Sequence, residues 1–184
     1  EYAGTDAQVV WRDTHARIEG PAAWEMAVVF AEGWGWSRGA PFQIDPSPVM
    51  PSGVGSDVLV LDSRPLRGHD ETASALAATI GAARESAWIT NAYFAPRPFT
   101  VDLLAEAAQR GVDVRLLLPG PTDVPVVRHA GHGYFEALLA AGIRIFEYQP
   151  RVLHAKTLVV DRHVAMVGST NIDFRSFHFN AECN

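Results

Sequence analysis

Apolar and polar positions along this chain alternate with two periods, and the switches between them mark out its elements. Trp24, Val28 and Ala31 follow i, i+4, i+7, with Ala27 and Phe30 beside them, which is one apolar helical face. Gly20-Pro21 opens that helix, since proline is tolerated in a first turn, and glycines at 33–39 end it. From residue 56 onward strand and helix patterns alternate. Strands are predicted over 57–61, 87–94, 112–118 and 143–148, and helices over 71–83, 99–110 and 134–141. Gly111 and Gly142 close the second and third of these helices, and Pro119-Gly120-Pro121 closes a strand. Such alternation predicts a sheet with helices on both faces and right-handed crossovers. Two β-branched runs, 157–160 and 164–167, flank the polar turn Asp161-Arg162-His163 and predict an antiparallel hairpin. The expected class is α/β, with a mixed, mostly parallel sheet.

Residues 42–55 carry Pro46, Pro48 and Pro51 with Gly and Ser, a linker composition. They divide the chain into 1–41, with short strand-like patches at 9–11 and 16–18 before the first helix, and 56–184.

Composition narrows the class of protein. The 184 residues are 48% hydrophobic and 20% charged, ordinary for a globular α/β chain. The formal charge of −6 argues against a nucleic-acid surface, which needs a basic face. A single cysteine, Cys183, excludes an internal disulfide. No run of 18 apolar residues is present, so this piece is not expected to span a bilayer. The first residue is Glu1, so the sequence is silent on targeting of a parent protein.

The candidate chemistry concentrates between His154 and Asn171. Strand parity puts His154 and Lys156 on one face, and Ser169 and Asn171 on another shared face. His178, Asn180 and Glu182 would share a face if that tail is extended. An imidazole beside an ammonium, joined by an amide and a hydroxyl, suits an anionic oxygen cluster. Lysine supplies a compact charge for phosphate, asparagine two amide donors, and histidine a nucleophile or proton donor near neutral pH. No Cys or second carboxylate stands at metal-ligand spacing, so the pattern reads as phosphoryl chemistry without a metal or other cofactor. Asp161 has the opposite parity to His154 and is expected to be structural at the hairpin turn, capping backbone N–H groups or pairing with a neighbouring cation. Gly168 is expected to allow close backbone approach or an unusual backbone dihedral.

The pattern H-x-K-x4-D-x6-G-S-x-N, from His154 to Asn171, resembles the HKD motif of the phospholipase D superfamily. Residues 88–96, with Thr90, Tyr93, Phe94 and Pro96, are similar to the T-x-x-Y-F-x-P stretch of bacterial cardiolipin synthases. Residues 142–148 and Asp173-x-Arg175-Ser176 are similar as well. Arg12-Asp13-Thr14-His15-x-Arg17-Ile18-Glu19-Gly20-Pro21 resembles the segment that follows the first motif in these two-motif enzymes. The resemblance implies two similar lobes. By it, 1–41 is the tail of the first lobe, 42–55 the linker, and 56–184 the second lobe, C-terminally incomplete.

The resemblance further implies a phosphatidyltransferase that works through a phosphohistidine, with hydrolysis of phospholipid, or less favourably of nucleic acid, as the alternative. His154, Lys156, Asn171 and Glu182 would be the catalytic set, with Glu182 buttressing His154, and Asp161, Gly168 and Ser169 in support. Tyr93, Phe94, Arg128 and His129 are candidates for the substrate cleft. His129 and His132 form an H-x-x-H pair, but two ligands without a third are a weak metal signal. The implied partners are a phosphatidylglycerol-like lipid, a membrane surface, and either a first HKD lobe or a second copy of the chain. By the same resemblance the parent protein sits at the cytoplasmic membrane, and a piece with one motif is expected to be inactive alone.

Overall fold

The computed structural model describes residues 11–40, 44, 55–64 and 68–184. Most of the 42–55 linker and the 9–10 part of the first strand-like patch lie outside these. Helix α1 (Pro21–Trp36) starts at Gly20, whose φ of 91° is a left-handed value glycine adopts without cost. Strands β1 (Asp62–Arg64) and β2 (His69–Asp70) form an antiparallel pair, followed by α2 (Glu71–Ala82). Next come β3 (Ser86–Thr90), α3 (Pro98–Gln109), β4 (Asp113–Pro119), α4 (Pro125–His132), α5 (Phe135–Ala140) and β5 (Arg144–Tyr148). The hairpin β6 (Thr157–Val160) and β7 (Val164–Val167), the short helix α6 (Phe174–His178) and β8 (Glu182–Cys183) complete the chain.

The main sheet has the order β5-β4-β3-β6-β7. The β3–β4 and β4–β5 pairs are parallel and the β3–β6 and β6–β7 pairs antiparallel, so the sheet is mixed in equal parts. Burial alternates along β4, with Val114, Leu116 and Leu118 turned inward. On α2, Thr72, Leu76 and Ile80 recur every four residues; on α3, Thr100, Leu104 and Ala107 do the same work. Leu76, Ile80, Leu104 and Ala107 from these helices meet Ala87, Ile89, Leu158 and Val160 from the sheet, and Leu138 from α5, in one core. Helices flank the sheet, where the alternation predicts them on both faces. These core helices pack on one face, and alternate sheet positions such as Trp88 and Phe146 stay 38% and 48% exposed among the described residues. Truncating a fully buried residue such as Leu104 to Ala would cost about 2–5 kcal/mol.

Three expectations shift. The strand expected at 57–61 forms instead at 62–64, where β8 supplies its partner through the Ser63–Glu182 pairing. Residues 16–18 form no strand. The tail after Asn171 is not extended throughout: α6 interrupts it, with the Asp173 carboxylate accepting the Ser176 N–H at 2.7 Å as an N-cap.

Candidate functional site

The site forms where the chain enters β6. Arg12 bridges Leu153 in parallel; its N–H donates to the Val152 carbonyl and its carbonyl accepts from the His154 N–H, both at 2.8 Å. This two-bond clip lays residues 11–14 along the approach to the hairpin. Asp13 consequently sits beside His154, with Oδ2 2.9 Å from Nδ1. An ionised carboxylate only accepts, so Nδ1 carries the proton and Nε2 the lone pair of the neutral ring. Trp11 and Tyr93 flank the imidazole, with ring centroids 4.9 and 6.3 Å away. Burial works to raise the pKa of Asp13. The hydrogen bond from His154, the Thr14 N–H and the charges of His154 and Lys156 outweigh it and hold the carboxyl below its usual range.

Lys156 is buried, and its Nζ donates to the His154 carbonyl at 2.5 Å. Burial pulls its pKa below the ordinary lysine value; Asp13, Glu182 and Asp123 oppose that pull by their charge. Asn171 is also buried. Its Oδ1 accepts the Tyr93 N–H at 3.2 Å, which assigns the amide orientation, because a backbone N–H requires an oxygen. Its NH2 group makes no hydrogen bond to any described residue. The backbone N–H of Asn171 donates to Ser176 Oγ, so α6 fixes it from behind.

The supporting residues are placed as follows. Asp161, at the hairpin turn with φ of 51°, accepts the N–H groups of Arg84, Glu85 and Ser86 at 3.0, 2.8 and 2.8 Å. It therefore ties the turn to the start of β3, far from the imidazole in role. Those three bonds, Ser86 first, hold its pKa below the ordinary carboxylate value. At Gly168 a Cβ would lie 2.2 Å from Asn184 Oδ1 and 2.4 Å from the Cys183 carbonyl, so only glycine lets β8 pass. Ser169 Oγ donates to Glu182 Oε2 at 2.5 Å and accepts the Cys183 N–H at 3.1 Å. Asn180 donates to Oε1 of the same glutamate at 3.1 Å.

The expected partnership of Glu182 with His154 therefore takes a different form. The carboxylate on His154 Nδ1 is Asp13, 141 positions earlier, and buried Glu182 lies against Ser169 and Asn180. Sequence reading missed Asp13 as a site residue. Its signal was the Arg12-Asp13-Thr14-His15 run, whose short strand parity gave no reason to bring it to the hairpin.

The cleft candidates do not converge on one pocket. Tyr93 stands beside His154, and its hydroxyl donates to the Asp123 carboxylate at 2.8 Å; burial and then that carboxylate push its pKa up to about 12. Phe94 lines a cavity with Leu118, Arg128, His132 and Glu147. Arg128 is engaged there with Glu147 at 2.8 Å, and His132 contacts the same oxygen at 3.1 Å. His129 bonds the Pro125 carbonyl within its own helix. Among the described residues no group of three or more His, Cys, Asp or Glu is arranged to hold a metal ion, and no helix is long and apolar enough to cross a membrane.

Comparison with known proteins fits this geometry. A family model described as "Cardiolipin synthase, PLD-like domain" matches residues 76–184. The cardiolipin synthase of Alkalihalophilus pseudofirmus is 35% identical over 189 aligned residues, covering all of this chain and 37% of that protein. That of Geobacillus thermodenitrificans is 36% identical, again over the whole chain and 38% of the relative. The chain thus spans well under half the length of the curated relatives it matches. Among solved structures, the phospholipase D family member Nuc from Salmonella typhimurium superposes with a TM-score of 0.53 at 22% identity, covering 68% of this chain and 79% of that one. NucT from Helicobacter pylori gives 0.54 at 18% identity, covering 68% and 82%. At these identities the likeness speaks for the fold alone. The family-model match over more than half of the chain carries the assignment: this chain belongs to the cardiolipin synthase, phospholipase D-like domain family.

Proposed function

We propose that this chain is the second-motif part of a phosphatidyltransferase that moves a phosphatidyl group between phospholipids of the phosphatidylglycerol type. The observation that carries the reading is the His154–Asp13 pair with Lys156 and the Asn171 amide beside it. Two histidines share the work. One attacks phosphorus, forming a P–N bond as the P–O bond to the leaving glycerol breaks; the other, as imidazolium, gives that alkoxide its proton. The same imidazole then takes the proton of an incoming hydroxyl, whose oxygen forms a new P–O bond while the P–N bond breaks. Lys156 and the NH2 group of Asn171 stabilise the equatorial oxygens as charge builds on them. Asp13 is a positioning residue: it fixes the tautomer of His154 and stabilises the imidazolium formed in the reaction.

His154 is one histidine, and the second comes from a first lobe or a second copy of the chain. Residues 11–40 belong with that first lobe, as the resemblance of the Arg12–Pro21 segment implies. The carboxylate that follows the first motif then holds the histidine of the second. By the same exchange Glu182, buried and presented by Ser169 and Asn180, holds the histidine of the first. Such reciprocity makes each half of the site incomplete without the other. The membrane surface is where the substrate resides.

The test is to supply labelled phosphatidylglycerol in vesicles to the complete protein that carries this chain and separate the lipid products. A product with two phosphatidyl groups and released glycerol is expected. Phosphatidate as the sole product would make the enzyme a hydrolase, which is the second reading.

A further inference from the structure

The Phe94–Ile172 bridge is parallel, and two pairs of residues lie on its two sides. Before it stand Tyr93 and Asn171, joined by the Tyr93 N–H donating to the Asn171 side-chain oxygen. After it stand Arg97 and His178, whose NH1 and Nε2 are 3.2 Å apart. Arginine has donors only, so His178 Nε2 accepts and the ring proton lies on Nδ1. Arg97 is a cation facing a neutral ring: it forms no ion pair with a carboxylate among the described residues. Its Nε is buried and lacks a hydrogen-bond partner there, which normally costs free energy. His178 Nδ1–H makes no hydrogen bond to a described residue either. The pair is half-exposed, backed by the Phe177 ring 5.6 Å from the Arg97 guanidinium, and flanked by Phe174 and Phe179, 55% and 52% exposed. Phe174 lies 4.5 Å from the His178 ring and 5.5 Å from Phe179.

We infer that Arg97 and His178 form a second anion subsite that takes the phosphodiester of the acceptor lipid, one glycerol away from the phosphate undergoing transfer. The inference rests on the transferase reading and adds the determinant of acceptor choice. A phosphatidylglycerol acceptor brings its own phosphate alongside the attacking hydroxyl. A guanidinium with unfilled donors, an imidazole N–H beside it, and apolar rings for the glycerol and first acyl carbons match that chemistry. Arg97 lies three positions after Phe94, a span of at most about 11 Å, so the subsite stays within reach of a lipid headgroup held at Asn171.

The experiment compares acceptors in the complete protein. Transfer from a labelled donor to glycerophosphoglycerol and to free glycerol is measured for the wild type, Arg97→Gln and Arg97→Lys. The preference for the phosphate-bearing acceptor should fall about tenfold in Arg97→Gln, as expected for one charge-assisted hydrogen bond, through KM rather than kcat. Arg97→Lys should recover part of it, which shows that the loss is not misfolding. A second readout needs no turnover: broadening of the 31P line of glycerophosphoglycerol and, separately, of inorganic phosphate. The diester should bind more tightly than phosphate, and Arg97→Gln should weaken the diester about tenfold. Unchanged acceptor preference, or equal weakening of both probes, would overturn the assignment. A wild type with no transfer to any acceptor would refute the transferase reading instead, and the 31P titrations would still decide this one.

Discussion

Replacing Asp13 by Asn removes one negative charge and almost no volume. The carboxylate lies 2.9 Å from His154 Nδ1, with the two charge centres farther apart than the contacting atoms. Unit charges about 4 Å apart at an effective dielectric of ~20 attract by about 4 kcal/mol. The side chains of His154 and Asp13 are 23% and 21% exposed, so solvent screens part of this. Roughly 2–3 kcal/mol remains to stabilise the imidazolium in the reaction, equivalent to about a 10²-fold loss of turnover. An asparagine that turns its NH2 group to Nδ1 would also reverse the tautomer, and then the loss approaches about 10⁴, as for a triad carboxylate. The assay is steady-state phosphatidyl transfer by the complete protein. Asp13→Asn should lower kcat by about 10²–10⁴ with KM changed by no more than about threefold. In a His154→Ala background the same change should add little, because both act through one proton-transfer unit. Near-normal kcat in Asp13→Asn, or a loss confined to KM, would refute the pairing as a working unit.

Further expectations come from the same contacts. Lys156→Met should abolish transfer yet raise Tm by a few degrees in thermal unfolding, because the wild type keeps a buried ammonium whose burial depresses its pKa; a lower Tm would contradict this. Asp161→Ala should lower Tm, since three backbone N–H groups lose their acceptor. Its carboxyl is depressed, so its contribution is present above the ordinary value of 3.8 and disappears as pH falls through the lowered one; the Tm difference between wild type and Asp161→Ala should therefore shrink only in strong acid. Gly168→Ala should cost about 1–3 kcal/mol, measured by denaturant titration, because its Cβ would meet the Cys183 carbonyl at 2.4 Å.

The legible parts of the site were those set by local rules. The hairpin follows from two β-branched runs, and strand parity alone separates Asp161 from His154. The crowding at Gly168 fits a residue type chosen for close approach. The carboxylate on His154 was not legible. Asp13 reaches it through a parallel bridge between Arg12 and Leu153, and pairing of distant, short segments leaves no periodic trace in sequence. The tail misled for another reason. A run read as extended gains an N-cap from Asp173, so α6 turns His178 to Arg97 while Asn180 and Glu182 still meet. Helix α4 was hidden by its length: eight residues starting at Pro125 show too little periodicity to announce themselves.

The most direct test of the two-histidine mechanism is the stereochemical course at phosphorus. A phosphatidyl donor made chiral at phosphorus with oxygen isotopes is converted by the complete protein, and the configuration of the product is read by 31P NMR. Two successive in-line displacements, through a P–N intermediate, give retention. Inversion would mean a single displacement by the acceptor and would contradict the covalent role of histidine.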